Sequence, residues 1–219
     1  EEFIIDRDYQ IVDANAKKHP LTIAVIACNT ASTVSLPNLR ANFTFPIVGV
    51  VPAIKPATKL TRNGIVGLLA TRGTVNREYT KELIERFATD CKVISLGSAE
   101  LVQLAERKLH GEILPLDEVA QAVKPWIKMK EAPDTVILGC THFPLIVEEL
   151  EKVLPSGTRF IDSGAAIARR TVWLINNQAE VTDSNEEDFA YCLLMNESLQ
   201  ELRPVLEAEG FKSLKKLAI

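Results

Sequence analysis

Two stretches repeat one local grammar, and no other feature of the sequence constrains the fold as tightly. Residues 21–32, LTIAVIACNTAS, read as a strand of continuous apolar character. It stops at Cys28 and passes through Asn29 and Thr30 into the small residues that open a helix. Residues 134–144, DTVILGCTHFP, do the same, with an apolar strand, Gly139, Cys140, then Thr141, His142 and a helix from Pro144. Apolar runs without alternation are expected of parallel strands covered on both faces. The carboxyl end of such a strand faces the crevice in which open α/β sheets hold ligands. A helix N-terminus just beyond each thiol offers free N–H groups and the positive end of the helix dipole, which favour a thiolate and a bound carboxylate. One cysteine so placed is compatible with ordinary core composition. Two in matched settings point to a pair that addresses one ligand.

The remaining chain alternates strand and helix patterns. Further strands are expected at 46–51, 64–70, 91–96, 159–161 and 189–195, and helices at 2–18, 33–41, 76–88, 99–109, 116–129, 165–176 and 198–209. This alternation predicts an α/β protein of two doubly wound, mainly parallel lobes with the active site between them. Residues 1–52 and 164–219 are expected to form the first lobe and 53–163 the second, with the proline-bounded PAIKP at 52–56 as a crossing. Several polar residues have an ordinary structural reading. Asp162 and Ser163 suit helix N-caps, and Thr71 and Thr74 either cap the helix that follows them or touch a ligand. Cys91 and Cys192 read as core, His19 and 180–188 as solvated loop, and His110 as a last-turn cation before Gly111.

Composition narrows the function further. With 47% hydrophobic and 25% charged residues, a core is easily built. The formal net charge is −4 and no basic stripe is present, so nucleic acid is not an expected partner. No apolar run approaches the ~20 residues of a membrane span, and no secretory signal is read in the chain. The cysteines at 28, 91, 140 and 192 form no CxxC, a pattern that fits reduced thiols in the cytoplasm. Cys28, Cys140 and His142 match no zinc spacing, so no metal is expected.

Two facing thiols allow one reaction in particular. A thiolate removes a proton from carbon on one face, and a thiol on the other face returns one, inverting the centre. The α-proton of an amino acid is held far more tightly than a thiol's, so water must be excluded and donors gathered around the substrate carboxylate. Asn29, Thr30 and Thr141 are suitable donors. His142 is placed to tune Cys140 or to orient an amino group. A sulfur-to-sulfur gap of roughly 6–8 Å is expected if both lie ~3–3.5 Å from one carbon.

The same residues carry a resemblance. ACNTAS at 27–32 and LGCTHFP at 138–144 resemble the paired signatures of the cofactor-independent aspartate/glutamate racemases. PIVGVVP at 46–52, GIVGLLATRGT at 64–74 and FIDSGA at 160–165 resemble the glutamate-specific branch in the same order. LGSAELVQLAERKLHG at 96–111 is similar to its gammaproteobacterial members. The resemblance implies interconversion of L- and D-glutamate for peptidoglycan, hence cell-wall biogenesis and cell shape, without cofactor or metal. It places the catalytic role on Cys28 and Cys140 and substrate contacts on Asn29, Thr30, Thr74, Thr141 and His142. It further implies activation by UDP-N-acetylmuramoyl-L-alanine, for which Arg40 and Lys55 are the candidate cations. An oligomer is compatible with it. The family pattern also departs from this chain in two places. A DSGxGG turn and a PYG turn, about two βα units or on the order of 60 residues, are expected upstream of residue 1. Without them the 21–27 strand is expected to expose an apolar edge and the chain to racemise weakly. After the middle strand, Glu100 is the nearest equivalent of a family glutamate. Competing readings are racemisation of aspartate or a hydantoin, and a binding module without catalysis.

Overall fold

The computed structural model describes residues 1–178 and 187–219. In chain order the elements are α1 (Glu2–Lys18), β1 (Ala24–Ile26), α2 (Asn29–Asn42), β2 (Ile47–Gly49), α3 (Ile54–Leu60), β3 (Ile65–Ala70), α4 (Arg72–Val75), α5 (Glu78–Phe87), β4 (Lys92–Gly97) and α6 (Glu100–Leu109). There follow α7 (Leu116–Ala122), α8 (Lys124–Ile127), β5 (Thr135–Leu138), a 3-10 turn (Phe143–Ile146), α9 (Val147–Val153), β6 (Arg159–Ile161), α10 (Gly164–Gln178), β7 (Phe189–Cys192), α11 (Glu197–Glu201), α12 (Arg203–Ala208) and β8 (Ser213–Lys216). The protein is a mixed α/β fold with parallel sheets. It divides into two compact units. One comprises 1–26, 34–48 and 169–219; the other comprises 27–33 and 49–168.

The second unit is built on a four-stranded sheet in the order β4-β3-β5-β6, with each pairing parallel. Its two central strands are buried along almost their whole length, as their unbroken apolar runs predict. Alternate side chains feed two separate cores. Leu69, Val136 and Leu138 pack with Leu101, Leu104, Val119, Trp126, Phe143 and Leu150 from the helices of one face. Val66, Leu68, Ala70 and Ile137 pack with Ile54, Ala57 and Ala88 on the other. A sheet covered on both faces is the doubly wound arrangement. Gly67 is required where β3 passes under Trp126, because a Cβ there would stand 2.9 Å from the indole.

In the first unit, α1 packs Val12 against Leu39 and Ile47, and β7 pairs in parallel with β8. Here the sequence expectations need correction. The apolar run 21–27 yields only three strand residues, and β1 is half-exposed, with Val25 40% exposed. Among the described residues β1 has β2 as its one strand neighbour. His19 is not a solvated loop residue. Its Nε2 lies 3.0 Å from the Tyr191 hydroxyl, and its ring packs on Phe189 and Tyr191. Cys91 is half-buried and packs against the core on one face of the larger sheet, and Cys192 is half-buried.

Four helices also differ from expectation. Pro125 and Pro204 each stand in the first turn of a second short helix, dividing the 116–129 and 198–209 segments in two. The helix expected from Pro144 begins as a 3-10 turn. The expected 76–88 helix starts at Glu78 after the short α4. The 180–188 loop lies largely outside the described residues.

Candidate active site

Cys28 is the residue immediately before α2 and caps it with sulfur. The Ala31 N–H donates to Cys28 Sγ at 3.5 Å, and the Ser32 N–H donates to the Cys28 carbonyl at 2.8 Å. A side-chain acceptor at the N-cap satisfies one of the orphan donors of a helix start, and the dipole there favours negative charge. The thiol itself is exposed. Asn29 follows, 5% exposed, with its side-chain oxygen buried and without a hydrogen-bond partner among the described residues. Although β1 and most of α2 belong to the first unit, residues 27–33 belong to the unit that also holds Cys140.

A chain of hydroxyls joins this turn to the end of β3. Thr30 Oγ1 lies 3.1 Å from Thr74 Oγ1, and the Thr71 hydroxyl donates to Thr74 Oγ1 at 3.1 Å. Thr71 also caps α4 by accepting the Thr74 N–H at 3.2 Å. The capping role read for Thr71 is therefore present. Thr74, 1% exposed, is a buried bridge between the two turns.

At the second cysteine, Gly139 lets the end of β5 press onto β3. Its N–H donates to the Leu69 carbonyl at 2.7 Å, and an added Cβ would meet Leu68, Ala70 and the Leu69 carbonyl within 3.0–3.1 Å. Cys140 is buried at 8% exposure. Its Sγ lies 3.6 Å from His142 Nδ1, and His142 Nε2 lies 2.6 Å from Glu106 Oε1. With the ring doubly protonated, one nitrogen donates to sulfur and the other to carboxylate. The Cys140 sulfur is the largest cause raising the His142 pKa. Burial opposes it and Glu106 adds to it, and together they bring it from 6.5 to about 9. His142 is accordingly an imidazolium at neutral pH. Thr141 is exposed beside it.

Glu106 was not singled out by sequence reasoning, which weighed Glu100 instead. Glu100 accepts the Ser98 hydroxyl at 2.9 Å and lies 3.8 Å from Arg72. No local signal distinguishes Glu106, since it meets His142 only when α6 packs beside the 3-10 turn. Arg40 is exposed in the last turn of α2 and donates from Nε and Nη2 to the Ile47 carbonyl at 3.2 and 2.9 Å. Lys55 is exposed over the Phe87 ring, 5.4 Å from its centroid. These two cations lie in different units. Among the described residues no group of three or more His, Cys, Asp or Glu is placed to hold a metal. No described helix is long and apolar enough to cross a membrane.

Comparison with known proteins adds three findings. A family model described as Asp/Glu/Hydantoin racemase matches residues 6–171. Glutamate racemase of Serratia proteamaculans is 64% identical over 219 residues, covering 100% of this chain and 76% of that protein. That of Proteus mirabilis is 66% identical over 220 residues with the same coverage. Among solved structures, the Escherichia coli glutamate racemase in complex with L-glutamate and the activator UDP-MurNAc-Ala superposes with a TM-score of 0.97 at 60% identity, covering 99% of this chain and 82% of that one. Glutamate racemase isoform RacE1 of Bacillus anthracis superposes with a TM-score of 0.80 at 26% identity, covering 100% and 81%.

Proposed function

The chain belongs to the Asp/Glu/Hydantoin racemase family, and from that membership we propose that it interconverts L- and D-glutamate with Cys28 and Cys140 as the two bases. In each turnover one cysteine is a thiolate and the other a thiol. The thiolate takes the α-proton, and the C–H electron pair passes into the substrate carboxylate. The thiol on the opposite face then gives its proton to the α-carbon, leaving the inverted amino acid and a thiolate on the second cysteine. The proton count is unchanged, and the next molecule of the other enantiomer returns the site to its starting state.

The observation that carries this reading is the unlike support given to two alike thiols in one compact unit. Cys28 sulfur faces the amide of Ala31 at the start of α2, and Cys140 sulfur faces the His142 imidazolium backed by Glu106. Each sulfur thus has a hydrogen-bond donor beside it, a backbone amide at Cys28 and a side-chain ring at Cys140. The buried Asn29 oxygen is an acceptor suited to the substrate ammonium, and the Thr30 and Thr141 hydroxyls are donors for a carboxylate, with the buried Thr74 hydroxyl holding Thr30 from behind. Donors fixed around the developing charge supply the stabilisation that the weak carbon acid needs.

The product would serve peptidoglycan synthesis in the cytoplasm, where thiols stay reduced. UDP-N-acetylmuramoyl-L-alanine is the proposed activator, with Arg40 and Lys55 as phosphate partners. Arg40→Ala and Lys55→Ala are expected to weaken its binding by calorimetry, and unchanged binding in both would remove them. The mechanism is tested by solvent exchange, which reads slow turnover as well as fast. In D2O, Cys28→Ser and Cys140→Ser should each lose deuterium incorporation with inversion at the α-carbon by about a hundred- to ten-thousandfold. Full exchange with inversion in either variant would refute the two-thiol assignment.

A further inference from the structure

The turn that carries Cys28 is gripped by a residue that the proposed chemistry does not use. Ser32 is 2% exposed in the first turn of α2. Its backbone N–H donates to the carbonyl of Cys28 at 2.8 Å, and its hydroxyl accepts the Val50 N–H at 2.9 Å. The neighbouring Val51 carbonyl accepts the Ser163 hydroxyl at the head of α10. One residue thus ties the Cys28 peptide to a backbone segment that is itself held from its other side.

The thiol is exposed and accepts the Ala31 N–H at 3.5 Å, so packing does not enclose it. Its place follows from the residues that flank it. Residues 27–33 are grouped with the second unit although β1 before them and most of α2 after them are grouped with the first. Two hydroxyl contacts seat this short insert: Thr30 on Thr74 and Ser32 on Val50. Val50 is 3% exposed, so loss of the Ser32 oxygen leaves its N–H buried without that acceptor. The backbone must then shift to find another, and the Cys28 carbonyl moves with it.

We infer that Ser32 is a positioning residue that fixes where the Cys28 sulfur stands, with the Val50 N–H as its anchor. The inference rests on the reading of Cys28 as one of two bases. A displacement of about 1 Å in a reacting group costs up to a hundredfold in rate. Ser32→Ala is therefore expected to lower kcat ten- to a hundredfold with KM little changed.

The test has two arms. In the first, the primary isotope effect of α-deuterated glutamate is measured in both directions. A racemase with one slowed base shows a large effect in the direction in which that base removes the proton and a small one in the reverse. Ser32→Ala should show the asymmetry of Cys28→Ser, in the same direction, whereas general loosening of the fold would not single out one direction. In the second, alkylation of Cys28 is followed by peptide mapping. Its rate should change several-fold in Ser32→Ala while that of Cys192 does not. Ser32→Thr, which keeps the acceptor, should restore both readouts. If Ser32→Ala does not fold, Ser32→Cys, with a weaker acceptor on the same carbon, should give intermediate values.

Wild-type alkylation with symmetric isotope effects in Ser32→Ala, against an asymmetric Cys28→Ser, overturns the inference. If Cys28→Ser is itself symmetric, the two-thiol reading fails, and the alkylation arm alone decides the role of Ser32.

Discussion

Replacing Glu106 by Gln removes a charge from the Cys140 side of the site and leaves the side-chain shape and one acceptor in place. The 2.6 Å contact between Glu106 Oε1 and His142 Nε2 is charge-assisted, a class of bond that contributes about 1.5–3 kcal/mol when well formed. The Glu106 side chain is 47% exposed, so solvent screening brings the charge contribution down to about 1 kcal/mol at most. At about 1.4 kcal/mol per pH unit, that corresponds to a fall of less than about one unit in the His142 pKa, from its raised value of about 9. The remaining elevation belongs to the Cys140 contact, which is the larger cause. The sign of the stability effect follows. A pKa raised above its unfolded value of 6.5 stabilises the fold fully below pH 6.5, and that contribution is lost as pH rises through 9. Wild type should therefore exceed Glu106→Gln in stability by at most about 1 kcal/mol at pH 6, and the gap should close above pH 9. The assay is an NMR titration of the His142 ring in both proteins, with urea unfolding at pH 6 and pH 9.5. An unmoved His142 pKa, or a stability gap that widens in alkali, would refute the electrostatic account of this triad.

Further predictions concern the scaffold. Gly67→Ala places a methyl 2.9 Å from a Trp126 ring that is itself 1% exposed. It should cost about 1–3 kcal/mol in denaturant unfolding, with a perturbed tryptophan signal; unchanged stability would mean the two faces of β3 are looser than the packing indicates. Burial raises the pKa of Asp134, but this is outweighed by hydrogen bonds from the Thr61 hydroxyl, the Arg62 and Asn63 N–H groups and the Thr135 hydroxyl, which hold it below the usual carboxylate value. Its contribution is present above the unfolded pKa and lost as pH falls through the lowered folded one. Asp134→Asn should therefore narrow its stability deficit relative to wild type on acidification below pH 4, as read by acid unfolding, whereas a deficit constant with pH would place its role outside titration.

The parts of the fold legible in sequence are those whose environment is dictated locally. β3 and β5 read as buried strands because their runs 65–70 and 136–138 are apolar throughout, and they are buried on both faces. Pro125 and Pro204 mark breaks that amphipathic spacing alone carries through, because periodicity records which face is apolar and not whether the backbone N–H is present. β1 shows the opposite limit. Residues 21–27 are as apolar as β3, yet Val25 is 40% exposed. Composition states what a strand is suited to touch, while its burial depends on what lies beside it.

The site shows the same division more sharply. The residues of both cysteine turns could be named from sequence because each turn is a continuous segment. What distinguishes the turns could not, because it comes from contacts made at long range: Glu106 with His142 across 36 residues, Thr30 with Thr74 across 44, and Val50 with Ser32 across 18. The two turns share a grammar, but Cys28 is exposed on a helix start and Cys140 is buried against an imidazolium. Racemisation requires the two thiols to be balanced as a pair, since each must serve as acid in one direction and base in the other. It does not require the same means of balance on both sides. A helix amide and dipole carry no titrating proton near neutrality, while the His142 imidazolium loses its proton near pH 9. Alkaline pH should therefore discharge the ring beside the Cys140 sulfur before it alters the amide beside Cys28, and the isotope effects in the two directions should separate as pH approaches 9.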